Sequence, residues 1–286
     1  MDACSRRQFI RTFSASVAGA FADFRPSALA DSAVRGVDSM RLAALYDIHG
    51  NLPALEAVLE DIRRTGVDEI LVGGDVFPGP MATEALALLE GLTVPTHFIK
   101  GNGDRVVLAA KAGTDISEVP AAYRDVIEWG AEGMDEDTAR KVAAWQPSLR
   151  LRITGVGNVF FCHATPRSDT EIFTRLTKED RLSGVFEHID GLAVCGHTHM
   201  QFNRTAGRTR VVNAGSVGMP FGRPGAYWLL LGPDIELRRT DYDLGRAAAR
   251  IRTTKYPRAE EFAARNVLQP PSEDEMLRLY SRVELR

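Results

Sequence analysis

Leu42-Ala43-Ala44-Leu45-Tyr46-Asp47-Ile48-His49-Gly50-Asn51-Leu52-Pro53 is the stretch on which the reading of this chain turns. The unbroken apolar run from Leu42 to Tyr46 predicts a strand buried on both faces, as in a sheet covered by helices. After Gly50 the pattern changes period. Asn51 is a helix cap, Pro53 fits a first turn, and apolar residues at 55, 58, 59 and 62 give one buried stripe to about Thr65. Between strand and helix stand Asp47 and His49, two metal-type side chains two residues apart, which share one side of an extended strand end. One such pair can grip one ion.

Reading outward, the alternation repeats: a strand over Glu69–Val72, a helix over Thr83–Glu90, a strand over Thr96–Ile99 and a helix over Val106–Lys111. Ligand types recur at these junctions. Asp75 follows Val72-Gly73-Gly74, and Asn102 lies between Gly101 and Gly103; Asp104 reads as the N-cap of the next helix. A polar, helix-forming insertion follows at about 114–147, anchored by Tyr123, Ile127, Trp129 and Trp145. Strands are then expected over Leu149–Thr154, Val159–Cys162, Leu192–Cys195, Thr209–Val212, Ala226–Leu231 and Ile235–Arg239. Beyond Tyr242 the chain reads as surface helices, about 243–286, broken at Pro257 and Pro270-Pro271. Two sheets packed face to face with helices outside is the simplest assembly. His163 ends one strand, and His197 and His199 follow another after Gly196.

The set Asp47, His49, Asp75, Asn102, His163, His197 and His199 is too large for one tetrahedral ion. It suits two ions sharing a carboxylate, because strand ends of an α/β fold converge on one crevice. Asp75 is the bridging candidate, since a carboxylate has two oxygens to offer. His97 and His188 fall outside these motifs and read as structural or surface residues. Arg167, four residues past His163, is a candidate for bidentate contact with a substrate phosphate, or else a solvated loop residue. Met219-Pro220-Phe221 either lines the cleft or packs a turn. Gly215–Gly218 closes a turn, there being no Gly-rich phosphate-loop pattern. Cys162 and Cys195 read as buried free thiols.

Composition bounds the rest. With 286 residues, 44% hydrophobic and 26% charged, the chain suits one α/β domain. A formal net charge of −3 without a dense Lys/Arg block leaves no electrostatic footprint for nucleic acid. Three cysteines provide neither a disulfide framework nor a zinc ribbon. No segment approaches the ~20 apolar residues of a membrane span. Residues 1–39 differ in character: Ser5-Arg6-Arg7-Gln8-Phe9-Ile10-Arg11, an Ala/Ser/Gly run, then Ala28-Leu29-Ala30. That order predicts a twin-arginine signal peptide and linker, with residues 40–286 as the domain and a periplasmic or exported destination. Translation from Met40 would instead give a cytoplasmic form.

Tyr46-Asp47-Ile48-His49-Gly50-Asn51, Gly73-Gly74-Asp75, Gly101-Asn102-Gly103-Asp104, Cys162-His163-Ala164-Thr165-Pro166, Gly196-His197-Thr198-His199 and Asn213-Ala214-Gly215-Ser216-Val217-Gly218 together resemble the calcineurin-like metallophosphoesterases, in particular their small bacterial and archaeal phosphodiesterase branch. The resemblance covers about residues 40–240. It implies an α/β fold, a four-layer αββα sandwich of two mixed β-sheets flanked by helices, here with a helical cap insertion. It also implies a partition in which Asp47, His49, Asp75 and His199 hold one ion, and Asp75, Asn102, His163 and His197 the other. The cofactors would be two divalent metal ions, Mn first, with Fe, Ni, Co or Zn as alternatives. Two ions roughly 3.5–4 Å apart lower the pKa of a bridging water and neutralise the phosphoryl oxygens.

Asp75 and Asn102 are then the expected catalytic residues, with Asn102 also bonding the substrate. The expected substrate is a small phosphate diester or a nucleotide. One departure is Gly103, where many relatives carry a His able to protonate the leaving oxygen; poor turnover of alkyl monoesters is expected, and Gly103→His should raise it. The alternatives are a nucleotide pyrophosphatase or diadenosine-tetraphosphatase-like hydrolase, and a non-catalytic metal-binding interaction module of the kind seen in one retromer subunit.

Overall fold

The computed structural model describes residues 35–39 and 41–285. At its centre, β2 (Leu42–Leu45) runs parallel to β3 (Glu69–Val72), and β3 runs parallel to β4 (Thr96–Phe98). On the other side β2 pairs antiparallel with β10 (Ala226–Leu231), and β10 pairs antiparallel with β11 (Ile235–Thr240). The five-stranded order is therefore β11-β10-β2-β3-β4. A second, six-stranded sheet is built from β1 (Arg35–Ser39), β5 (Ser148–Ile153), β6 (Gly157–Cys162), β7 (Leu192–Cys195), β8 (Phe202–Ala206) and β9 (Thr209–Asn213), in the order β1-β5-β6-β7-β9-β8. It is also mixed: β1/β5, β6/β7 and β7/β9 are parallel, while β5/β6 and β8/β9 are antiparallel.

The period of two along β2 explains how the sheets stack. Leu42, Ala44 and Tyr46 face the second sheet, where Leu151, Ile153, Val159, Phe161, Val194 and Val212 meet them. Ala43 and Leu45 point the other way, into a core shared with α1 (Leu52–Thr65), α2 (Ala82–Glu90) and α3 (Asn102–Lys111). Because both faces are covered, every β2 residue is fully buried, at about 1.5–3 kcal/mol for each large side chain. The insertion supplies α4 (Arg124–Gly133) and α5 (Glu136–Ala144) to the same core through Tyr123, Ile127, Met134 and Val142, while Trp145 stacks on Phe98 at 4.9 Å. On the outer face of the second sheet, Phe160, Cys162, Ala193 and Cys195 pack against α6 (Glu179–Phe186). Helix, sheet, sheet, helix is the four-layer sandwich expected.

Several elements depart from expectation. The strand β1 occupies residues assigned to a linker, and β8 and α6 were not foreseen. Only Phe202 and Ala206 of β8 are buried and it lies at the sheet edge, so its sequence carries little apolar alternation. Nor is the C-terminal region merely superficial. Ala247, Ala248 and Ile251 of α7 (Leu244–Arg252), Phe262 of α8 (Ala259–Phe262) and Val267 in the following π turn are buried in the main core. The last helix, α9 (Glu273–Tyr280), forms a separate cluster with Ile172 and Met200. The arginine pair and cleavage region of the proposed signal lie outside the described residues. Among those described, no helix is long and apolar enough to cross a membrane.

Candidate metal centre

All seven candidate ligands emerge where strands of the two sheets end: Asp47 and His49 after β2, Asp75 after β3, Asn102 after β4, His163 after β6, and His197 and His199 after β7. They converge. Asp47 Oδ1 lies 3.2 Å from His199 Nε2, 3.8 Å from His163 Nε2 and 3.9 Å from His49 Nε2. Asp75 Oδ2 lies 3.6 Å from His49 Nε2 and 3.5 Å from His163 Nε2. The imidazoles fall into two pairs, His49 with His199 and His163 with His197, each with ring centroids 5.2 Å apart. Two overlapping groups can each hold an ion, Asp47/His49/His199 and Asp47/Asp75/His163. Asp47 thus borders both, where the expected partition gave it to one.

Each carboxylate is split in function by a backbone amide. His197 N–H donates to Asp47 Oδ2 at 2.8 Å, and Gly103 N–H donates to Asp75 Oδ1 at 2.7 Å. The second oxygen of each faces the histidines. Asp75 Oδ2 thus lies within 3.6 Å of one imidazole of each pair, while Oδ1 takes the Gly103 N–H.

The imidazoles are aimed by carbonyls. Nδ1 of His49, His163 and His199 bonds Pro78 O (3.3 Å), Gly73 O (2.9 Å) and Met219 O (2.7 Å) respectively, so Nε2 is presented inward. His197 is reversed, bonding Thr170 O through Nε2 at 3.1 Å and presenting Nδ1. Fixing one ring nitrogen to a carbonyl leaves the other, in the neutral ring, as a lone-pair donor, the arrangement a metal-ligating histidine requires.

The donor set fits divalent cations. Asp47 Oδ1 and His49 Nε2 are sealed from solvent without a hydrogen-bond partner among the described residues, which is costly for polar atoms unless a cation meets them. The Asn102 amide atom that faces His163 Nε2 and His197 Nδ1 sits 3.0 Å from each. An NH2 there would donate to both imidazoles; an oxygen there stands 3.0 Å from two imidazole nitrogens, donor atoms of the kind an ion gathers, and accepts from His163 when that ring is protonated.

The electrostatics carry the same mark of crowded, buried charge. Burial pushes Asp47 up, but His199 and His163 outweigh it and hold the carboxyl below its ordinary value. Asp75 is lowered likewise against burial, chiefly by His163. For His163 burial pulls down, yet the Asp75 and Asp47 carboxylates bring it up to about 10. Burial and then the His163 charge push His197 down to about 4, and burial lowers His49.

The backbone is unusual at these positions. Among the described residues, the non-glycine residues with positive φ are Asp47, His49, Asp75, His197, His199 and Leu285. Five of the six are candidate ligands. Asp and His tolerate this region better than most residues, yet it still costs about 1–2 kcal/mol each, and such strain concentrates at functional sites.

Three polar residues hold these strained turns in place. Asp104, fully buried, accepts N–H bonds from Asp75 (2.8 Å), Phe77 (3.0 Å) and Gly101 (3.0 Å), joining the Asp75 turn to the Asn102 turn. It stands in the first turn of α3, whose cap is Gly101, so it is not the N-cap of a helix beginning near Val106. Burial, with the Asp75 charge, pushes its carboxyl up to about 7 despite those bonds. Asn213 donates to Gly196 O and Thr198 Oγ1, bracing the His197–His199 turn. Ser216 donates to Asp47 O at 2.7 Å. Asn213 and Ser216 were quoted within a motif without a role; only the folded contacts give them one.

Other expectations resolve individually. Arg167 gives its guanidinium fork to the buried Glu171, which also accepts from Thr165 Oγ1 at 2.9 Å. His97 pairs with Glu69 at 2.9 Å, and His188 is exposed. Cys162 and Cys195 are buried free thiols. Phe221 stacks on His199 at 5.3 Å, and Val217 N–H and Gly218 N–H bond Tyr46 O and Asp47 O, so both turns shape the site. Gly103 has no room for a side chain, because a Cβ there would lie 2.3 Å from Phe77 O and 3.0 Å from Asp75 Oδ1. Gly103→His would therefore displace the turn that holds Asp75, and the expected gain in monoesterase activity does not follow.

A sequence profile of the calcineurin-like phosphoesterase superfamily domain matches residues 40–232. The chain belongs to this superfamily. A relative in Methanocaldococcus jannaschii, the uncharacterized protein MJ0912, is 29% identical over 238 residues, covering 76% of this chain and 93% of its own. Among solved structures, a metallophosphoesterase from Sphaerobacter thermophilus aligns with a TM-score of 0.63 at 23% identity, over 82% of this chain and 100% of its own. The protein PH1004 from Pyrococcus horikoshii aligns at 0.66 and 20%, over 81% and 99%. These structures share the fold. As a calcineurin-like phosphoesterase, the protein is a phosphoester hydrolase, and its candidate ligand clusters point to divalent metals.

Proposed function

We propose that this calcineurin-like phosphoesterase is a two-ion phosphodiesterase acting on small phosphate diesters or nucleotides. The observation that carries the reading is the pairing of His49 with His199 and His163 with His197 around Asp47 Oδ1 and Asp75 Oδ2. Asp47, His49 and His199 would hold one ion, and Asp75, Asn102, His163 and His197 the other, with Asp75 Oδ2 between them and Asp47 Oδ1 at the border. Two divalent ions there, Mn foremost, would supply an activated water and neutralise phosphoryl charge. The chain's own contribution is positional. Backbone amides fix one oxygen of each carboxylate, carbonyls fix each imidazole, and Asn102 offers its amide to a phosphoryl oxygen.

The preference for diesters rests on Gly103. Phe77 O occupies the space in which a side chain at this position would begin, so no group from residue 103 can protonate a leaving oxygen. Substrates whose leaving group needs no proton, or whose second ester lowers the charge to be overcome, are favoured. Metal analysis of the purified protein together with hydrolysis of bis(p-nitrophenyl) phosphate and p-nitrophenyl phosphate tests this. Diester turnover ahead of alkyl monoester turnover is expected; absence of hydrolysis after Mn loading would refute it. We also propose export by the twin-arginine route, on the order of basic, apolar and small-residue segments before residue 31; N-terminal sequencing of the native protein, expected to begin at Asp31 rather than Met40, is the check.

A further inference from the structure

Tyr280 is the last residue of α9, far along the chain from the candidate ligands, yet the single ring of Phe221 links it to His199. Its ring packs edge-on against Phe221, 6.3 Å between centroids, and Phe221 stacks on the His199 imidazole. The residue is only 6% exposed, in a cluster with Ile172, Met200, Met276 and Leu277. Its hydroxyl makes no hydrogen bond to any described residue. Among the described residues, the sealed, unpartnered side-chain atoms are Asp47 Oδ1, His49 Nε2 and Arg238 Nε. The Tyr280 hydroxyl is not among them. Burial and the Asp47 charge raise the phenol above its ordinary value, which keeps its proton in place at neutral pH.

The placement is firm. Gly222 N–H bonds Pro271 O at 2.8 Å, tying α9 to the turn whose Met219 carbonyl orients His199. Glu273 pairs with Arg175, Glu284 accepts from Thr177 Oγ1 at 2.8 Å, and Leu285 N–H bonds Ile172 O at 2.8 Å. The loop so held also contains Thr170, whose carbonyl orients His197. A surface helix has no need of such attachment to both histidine turns.

We infer that Tyr280 is a substrate-contacting residue, whose hydroxyl donates a hydrogen bond to an oxygen of the phosphoryl group bound beside Asp47 and His199. This rests on the phosphoesterase reading above and adds to it a donor from outside the span 40–232 that the family profile matches. A neutral, protonated phenol suits an anionic phosphoryl oxygen, whereas a basic side chain beside the ions would compete with them.

Tyr280→Phe keeps the ring and removes only the hydroxyl. With metal content and Tm matched to wild type, inorganic phosphate is expected to bind about 10-fold more weakly by calorimetry and as a competitive inhibitor, as for loss of one hydrogen bond to a charged group. kcat/KM on bis(p-nitrophenyl) phosphate should fall by a similar factor, and by the same factor for aryl esters of differing leaving-group pKa. Phosphate affinity within about two-fold of wild type would overturn the assignment even if the enzyme is active, since one such bond is worth more than that. A loss that grows with leaving-group pKa would also overturn it, by placing the hydroxyl at the leaving oxygen. If metal-loaded wild type neither hydrolyses diester nor binds phosphate, the phosphoesterase reading fails first and this inference falls with it.

Discussion

Replacing Asp104 by alanine removes one buried carboxylate and strands three backbone N–H groups, those of Asp75, Phe77 and Gly101. Each buried donor left without a partner costs about 1–3 kcal/mol, so the sum could approach the whole stability of a domain. Part is returned, because the wild-type carboxylate is itself expensive to bury, which is why it is held near 7. The net expected loss is about 3–5 kcal/mol, in the range that marks a specific mechanism rather than a surface change. Asp104→Asn should do less harm, roughly 1–3 kcal/mol, since one oxygen survives while the amide NH2 must face at least one N–H. Urea unfolding in excess chelator separates this from ion binding, and metal content of the unchelated variants then reports on the Asp75 turn. Asp104→Ala within about 0.5 kcal/mol of wild type, or with full metal content, would refute the view that this residue joins the two turns.

Gly103→Ala should cost about 1–3 kcal/mol or more through its contact with Phe77 O, and should lower metal content, as read by denaturation and elemental analysis. His199→Ala should bring bound metal from about two ions to about one, by emptying the Asp47/His49 side while His163 and His197 persist; retention of both ions would contradict the pairing. Metal binding should release protons. His163 holds its proton at neutral pH in the metal-free protein, its pKa being about 10, and must surrender it to ligate, so affinity rises with pH. Calorimetry in buffers of different ionisation enthalpy measures the release, and no release at pH 7 would count against His163 as a ligand.

The strand Leu42–Leu45 and the candidate ligands beyond it were legible because burial on both faces leaves a continuous apolar run, and the polar residues that interrupt it need a reason to be there. The same logic found His163 and the His197–His199 turn. It could not find β8, whose edge position requires only Phe202 and Ala206 to be apolar. Nor could it assign Asp104, which has the sequence position of a cap while its oxygens serve two turns from different strands. Arg167 shows what spacing leaves out: its position four residues past His163 is legible, but its pairing with Glu171 appears only in the folded loop. Tyr280 was beyond reach, since nothing local distinguishes a helix-terminal tyrosine on a surface from one leaning on Phe221.

The left-handed backbone under Asp47, His49, Asp75, His197 and His199 constrains how this centre can be re-engineered. Metal preference is commonly altered by exchanging ligands, for example a cysteine for softness or a glutamate for reach. Here those exchanges carry a second change, because longer or bulkier residues resist this φ region where Asp, Asn, His and Gly accept it. An Asp-to-Asn exchange is the mild route, and it subtracts charge without moving the chain. Retuning by design therefore belongs with the groups that aim the ligands, Pro78, Gly73, Met219 and Thr170 through their carbonyls, and the turns that carry them. Shifts there would alter ion spacing and imidazole basicity while leaving the alphabet of the site intact.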